Sequence, residues 1–115
     1  MLSDGKKIYL ACGATDLRKN INTLSVLVQE SFRLDPFDDT MFVFCNRDRD
    51  LIKILEWDQD GFWLHIKKLE KGRFHWPDAT GGDKMDLTYR ELEILIGGTR
   101  LVSKFKRRDI FNPEV

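Results

Sequence analysis

The sequence predicts an α+β fold: an antiparallel β-meander sheet of about five strands with two helices packed against it. Three observations predict it. Four short apolar runs between residues 41 and 76 are separated by polar turns too short for any other connection. Two stretches with helical apolar spacing flank that block. The chain has 115 residues with three Trp, eight Phe and two Tyr, enough aromatic bulk for one core without a metal or disulfide.

Taken in order, Lys7–Cys12 is short, apolar and stopped by Gly13, so it reads as a strand. Thr15 or Asp16 then opens a helix as N-cap. Leu17, Ile21, Leu24 and Val28 recur at spacings of four, three and four and form one stripe. Asp35-Pro36 ends that helix. Met41–Asn46 is a strand apolar on both faces. Arg47–Asp50 is a turn, Leu51–Trp57 a strand, Asp58–Gly61 a turn and Phe62–Leu69 a strand. Arg73–Trp76 reads as a fourth, short strand stopped by Pro77, and Asp86–Thr88 as a short extra one. Thr88 and Glu91 fit a capping box ahead of Leu92, Leu95 and Ile96, and Gly97-Gly98 ends the second helix. Residues 1–98 are expected to form one domain, and 99–115 a basic tail.

Lys plus Arg equals Asp plus Glu at 19 each, which excludes a whole-surface basic nucleic-acid binder. The charge is uneven, however. Residues 100–115 carry five basic and two acidic side chains. Cys12 and Cys45 sit in apolar runs and read as reduced core residues. The N-terminus has no apolar signal region, and no apolar run reaches the ~20 residues that span a bilayer, so a cytoplasmic location without membrane contact is expected.

The run Phe42–Leu64 (Phe-Val-Phe-Cys-Asn-Arg-Asp-Arg-Asp-Leu through Trp57-Asp58-Gln59-Asp60-Gly61-Phe62-Trp63-Leu64), continued by Lys67–Pro77, resembles the TnpB accessory proteins of insertion sequences of the IS sixty-six family. Cys12–Lys19 and Leu87–Gly97 match as well, so the likeness covers roughly residues 6–98. The resemblance implies a role accessory to a separate, larger transposase. It implies no catalytic residues, and it is unrelated to the RNA-guided nuclease that shares the name.

The residues themselves give little support to catalysis. Asp48 and Asp50 lie in one turn and Asp58 and Asp60 in the next, at opposite ends of a meander, where they cannot converge on Mg²⁺. Asp58-x-Asp60-Gly61 opens like a calcium loop but lacks the later ligands. His65 and His75 on adjacent strands would not close a zinc site alone. No nucleophile motif, Walker loop or dinucleotide turn is present. No cofactor, metal or small-molecule substrate is therefore expected.

The candidate contacts are to nucleic acid or a protein partner. Arg18 and Lys19 could help a helix N-terminus hold phosphate. Arg47, Arg49, Lys53, Lys67, Lys68, Lys71 and Arg73 could hold phosphates while Trp63, His65 or His75 stack on bases. Lys104, Lys106, Arg107 and Arg108 form a tail run suited to DNA. The residues leave two classes open: a DNA-binding accessory factor, or a protein-interaction module that touches the transposase of the same insertion sequence without touching DNA. Trp63, His65 and Lys67 are expected on the water side of their strand.

Overall fold

Two strands separated by a helix can pair side by side in the same direction, because the helix returns the chain to its starting end. A computed structural model, which describes residues 5–18 and 20–97, contains such a unit. Strand β1 (Lys7–Ala11) leads through helix α1 (Ile21–Glu30) to β2 (Thr40–Cys45), and β1 pairs with β2 in parallel, Lys7 opposite Thr40 and Leu10 opposite Val43. Strands β3 (Leu51–Asp58) and β4 (Gly61–Lys68) follow antiparallel, Cys45 opposite Ile52 and Leu51 opposite Lys68. Strand β5 (Lys84–Leu87) pairs antiparallel with β1, and helix α2 (Tyr89–Ile96) closes the described chain. The sheet order is β4-β3-β2-β1-β5.

The fold is therefore α+β with five strands and two helices, but the sheet is mixed. The all-antiparallel meander expected from the sequence is realised only in β2-β3-β4. Its supposed fourth strand, Arg73–Trp76, is not a strand. Gly72 turns with φ +80°, and the chain then crosses the end of the sheet as a strap. Phe74 donates its N–H to the Arg49 carbonyl at 2.6 Å, and the Trp76 indole donates to the Ala11 carbonyl at 2.9 Å. Both aromatic side chains are buried, so they fill the core instead of extending the ladder.

Each sheet face has its own apolar cluster. One unites Ile8, Leu10, Met41, Val43, Ile52 and Ile54 with Phe74, Trp76 and the α2 residues Leu92 and Leu95. The other unites Phe42, Phe44 and Leu55 with Leu17 and the α1 residues Leu24 and Val28. Covered on both sides, β2 has all six residues buried, as its unbroken apolar run predicts.

Helix α1 begins later than the sequence suggests. Its N-cap is Asn20, whose side chain accepts from the Thr23 N–H at 2.9 Å, and neither Thr15 nor Asp16 caps it. Thr15 instead donates its N–H to the Cys45 carbonyl at 2.8 Å, extending the β1–β2 pairing. The Asp16 carboxylate accepts from the Arg18 N–H at 3.1 Å, a local turn that holds this stretch out of the helix. Arg18 is thus not in a first helical turn; Lys19 lies outside the described residues. Helix α2 carries the expected capping box between Thr88 and Glu91, with Gly97 as C-cap.

Two measurements check this packing. Trp76→Ala should cost about 3–5 kcal/mol in urea unfolding through the lost ring and its cavity; a cost below about 1 kcal/mol would mean that the strap is not part of the core. Burial pushes the Cys45 thiol up to about 12. Iodoacetamide at pH 8 should therefore leave Cys45 unmodified in the native protein and label it in urea, as read by mass spectrometry.

Candidate nucleic-acid interface

The parallel pair places the carboxyl ends of β1 and β2 side by side. The loop after β1 and the turn after β2 meet there and frame a cleft of about 500 Å³ lined by Ala14, Thr15, Asp16, Arg18, Arg47 and Asp48, among others. A smaller hollow of about 160 Å³ adjoins it, with Gly13, Arg49, Trp76 and Asp78 in its wall. Carboxyl ends of adjacent parallel strands are the usual place for ligand crevices in sheets of this kind.

The loops are tied in place from below. The Lys53 ammonium on β3 donates to the Leu17 carbonyl at 2.6 Å, across the sheet face that carries α1. The Asn46 side chain closes the β2–β3 turn: its Oδ1 accepts from the N–H groups of Asp50 and Leu51 at 3.0 and 3.1 Å, and its Nδ2 donates to Asp50 at 2.7 Å. Arg49 holds left-handed backbone at φ +59° in that turn. Gly13 sits at φ +76°, and a Cβ there would come 3.4 Å from the Ala79 side chain.

Cations collect at this end. The register puts the close of β4 beside the start of β3, so Lys67 and Lys68 reach the same end as Arg47 and Arg49. The strap begins there too, with Phe74 bonded to Arg49, so Lys71 and Arg73 join them. With Arg18, seven cations meet five carboxylates: Asp16, Asp48, Asp50, Glu70 and Asp78. Three cations are already engaged. Arg18 forks onto Asp16 with two contacts of 2.9 Å, which raises its pKa. Lys68 meets Asp50 at 2.6 Å, and this contact with the Asn46 amide holds the Asp50 carboxyl below its ordinary value. Lys67 donates to the Ile96 carbonyl at 2.6 Å, at the end of α2. Arg47, Lys71 and Arg73 are exposed and make no ion pair among the described residues.

The remaining candidates lie elsewhere. Trp63 is on the starting half of β4 and His65 just past its middle, opposite Glu56 and Ile54. Their face is the α2 side rather than a bare water side. His65 Nε2 is 2.9 Å from Glu56, which is 1% exposed and also 3.0 Å from the Lys6 ammonium. Trp63 is 57% exposed, stacks near His65 and donates its indole N–H to Asp58 at 3.0 Å. His75 is half-buried in the strap. The structure therefore does not bring the stacking candidates Trp63 and His65 together with the free cations. Lys104, Lys106, Arg107 and Arg108 lie outside the described residues. The acidic pairs Asp48/Asp50 and Asp58/Asp60 sit at opposite ends of the sheet, as the turn order requires. Among the described residues no group of three His, Cys, Asp or Glu could hold a metal ion. Sequence reasoning missed the turn-closing Asn46, and it did not foresee that Lys68, one of its candidate cations, is set beside Leu51 by the register and hence near Asp50.

The three stretches that frame the two hollows, Gly13–Arg18, Asn46–Leu51 and Trp76–Asp78, are close to the stretches that carry the resemblance to insertion-sequence proteins. Comparison with known proteins decides the matter: residues 6–106 match the family described as IS66 Orf2-like protein. The chain belongs to the IS66 Orf2-like family. Its family match runs past α2 to Lys106, into the segment read from sequence as a tail. Uncharacterized protein y4hO of Sinorhizobium fredii is 37% identical over 100 residues, spanning 85% of this chain and 86% of that one. Uncharacterized protein y4jC of the same organism is 30% identical over 111 residues, spanning 96% and 93%. No solved structure matches. Among the described residues no helix is long and apolar enough to cross a membrane.

The Asp50 contacts carry a pH signature. A carboxyl held below its ordinary value of 3.8 contributes stability that is present above that value and drains as pH falls through the folded one. Lys68→Met should therefore lower stability at pH 6 and make no difference at pH 2, as measured by urea unfolding at both. An equal deficit at the two pH values would place the effect in packing instead.

Proposed function

We propose that this chain is a non-catalytic accessory protein of an insertion sequence that grips DNA through the cation-rich end of its sheet and serves the transposase encoded with it. Family membership supports the insertion-sequence role. The observation that carries the DNA reading is the gathering of Arg47, Lys71 and Arg73, exposed and without ion pairs among the described residues, on the rim of one end of the sheet. These cations come from a hairpin turn and a strap, and only the fold makes them neighbours. Such a rim suits phosphate contacts, which supply affinity without reading sequence. The main-chain loops of the cleft below offer polar groups to a backbone lying across them.

A second reading, contact with the transposase protein and none with DNA, is favoured by one separate feature. Phe37 is 55% exposed at the far end of the sheet and packs against Trp57 and Phe62 at 5.1 and 5.5 Å between ring centres. Exposed aromatics of this kind anchor protein interfaces.

The two readings separate in the test tube. Fluorescence anisotropy with duplex DNA from the ends of the insertion sequence should show binding that weakens steeply as salt rises. The triple variant Arg47→Ala, Lys71→Ala, Arg73→Ala should flatten the salt slope by about 3. Absence of binding at low salt, together with co-purification of the transposase that Phe37→Ala abolishes, would transfer the function to the protein-contact reading.

A further inference from the structure

The end of the sheet opposite the cationic rim carries a cluster of rings. Trp57 and Phe62 face each other across the β3–β4 pair, edge to face with centres 5.0 Å apart. Phe37, from the loop ahead of β2, closes the triangle at 5.1 and 5.5 Å. Phe37 and the neighbouring Trp63 are each more than half exposed. Beside this cluster the Asp58–Gly61 turn frames a hollow of about 210 Å³, walled by Asp58, Asp60, Phe62 and Trp63. Phe62 thus belongs to both the cluster and the hollow.

The hollow is anionic. Asp58 and Asp60 are exposed, and neither forms an ion pair among the described residues. Asp58 accepts the neutral Trp63 indole N–H at 3.0 Å. The nearby lysines are turned elsewhere. Lys6 is held by Glu56 and Asp39, and Lys7 lies 5.4 Å over the Tyr9 ring. Carboxylates beside ring faces select a cation. A metal ion needs more ligands, and among the described residues no group of three His, Cys, Asp or Glu could hold one. Nucleic acid brings phosphates, which these carboxylates repel. A guanidinium needs a carboxylate to fork onto and a ring face to lie against, and the hollow offers two of each. An apolar residue next to that guanidinium would meet the exposed Phe37 ring.

We propose that the hollow at the Asp58–Gly61 turn receives an arginine side chain of a partner protein, its guanidinium on Asp58 and Asp60 and against the Phe62 and Trp63 rings, with an adjoining apolar residue packed on Phe37. The inference rests on the reading in which Phe37 touches the transposase, and it adds what the transposase must present there: a basic segment interrupted by apolar side chains. Partner and DNA then occupy opposite ends of one sheet and do not compete.

The site can be probed without the transposase. In NMR titrations of the isotope-labelled full-length protein, acetyl-Leu-Arg-Leu-amide should shift the Trp63 indole N–H and the Gly61 amide. The citrulline counterpart, similar in shape but uncharged, should shift neither at the same concentration. Asp58→Asn/Asp60→Asn keeps an acceptor for the indole and suits the turn, and it should abolish the response. The same double variant should bind the transposase about tenfold more weakly than the native protein at low salt and equally at high salt, where the native contact is screened. Equal shifts from the two peptides, no shift from the arginine peptide, or a deficit that persists at high salt would overturn the proposal. Self-association of the pure protein that the double variant abolishes would assign the hollow to a second copy and overturn it too. The two readings fail differently. Loss of transposase with Phe37→Ala beside a silent peptide titration leaves the protein contact and removes the arginine. A Phe37→Ala variant that retains the transposase fully removes the contact itself, and the proposal with it.

Discussion

The parallel pairing of β1 with β2 is the constraint on which the rest of the molecule depends. Those two strands are brought into register by α1, which lies across one face and buries Leu24 and Val28 against Phe42, Phe44 and Leu55. Because both strands then end on the same side, the Gly13–Arg18 loop faces the Asn46–Asp50 turn. The Thr15 bond to the Cys45 carbonyl carries the pairing beyond the strands, and the Lys53 bond to Leu17 pins the loop to β3. An antiparallel β1 would send that loop to the opposite end of the sheet. The cleft and its cationic rim would then not exist, whatever the residues involved.

The opposite end of the sheet is organised around a different problem. Glu56 is buried, and a buried carboxylate is costly unless other charges and hydrogen bonds compensate it. Lys6 and His65 flank its two oxygens, and Lys6 also meets Asp39 and the Trp57 carbonyl. Burial by itself lowers the Lys6 pKa, but the two carboxylates outweigh it and the net shift is upward. Around this cluster lie Asp38, Asp39, Asp58 and Asp60. Among the described residues, therefore, the two ends of the sheet differ in charge. Such a charge separation orients an approaching polyanion in a way that the total charge does not reveal.

Local signals in the sequence were legible where local physics decides the structure. The Thr88–Glu91 capping box is present, because both of its hydrogen bonds close within four residues. The unbroken apolar run of β2 correctly implied burial on both faces, and the alternation of β4 correctly separated Phe62 and Leu64 from Trp63 and His65. What the sequence concealed was non-local. The strap residues Phe74 and Trp76 alternate with His75 like a strand, yet their bonds run to Arg49 and Ala11, which are far away in the chain. The start of α1 was misread because Asp16 and Asn20 are both good caps, and the β1–β2 pairing claims Thr15 before the helix can begin. At the candidate site, individual cations were legible. Their grouping was not, because it follows from the register of β4 on β3 and from the course of the strap.

That grouping also bears on what kind of DNA contact the proposed function would involve. A single-strand binder interleaves cations with stacking rings, since each base needs a π-face beside its phosphate. Here the exposed indole is on the starting half of β4, hydrogen-bonded to a carboxylate, while the free cations occupy the other end. His65 is engaged with Glu56. The rim therefore has charge without stacking, which favours the phosphate backbone of a duplex over unpaired bases. Contacts of that kind position a protein on DNA but carry no sequence information directly. On the proposed reading, selection of the insertion-sequence ends falls to the transposase, and the accessory chain adds affinity and orientation to a choice made by its partner.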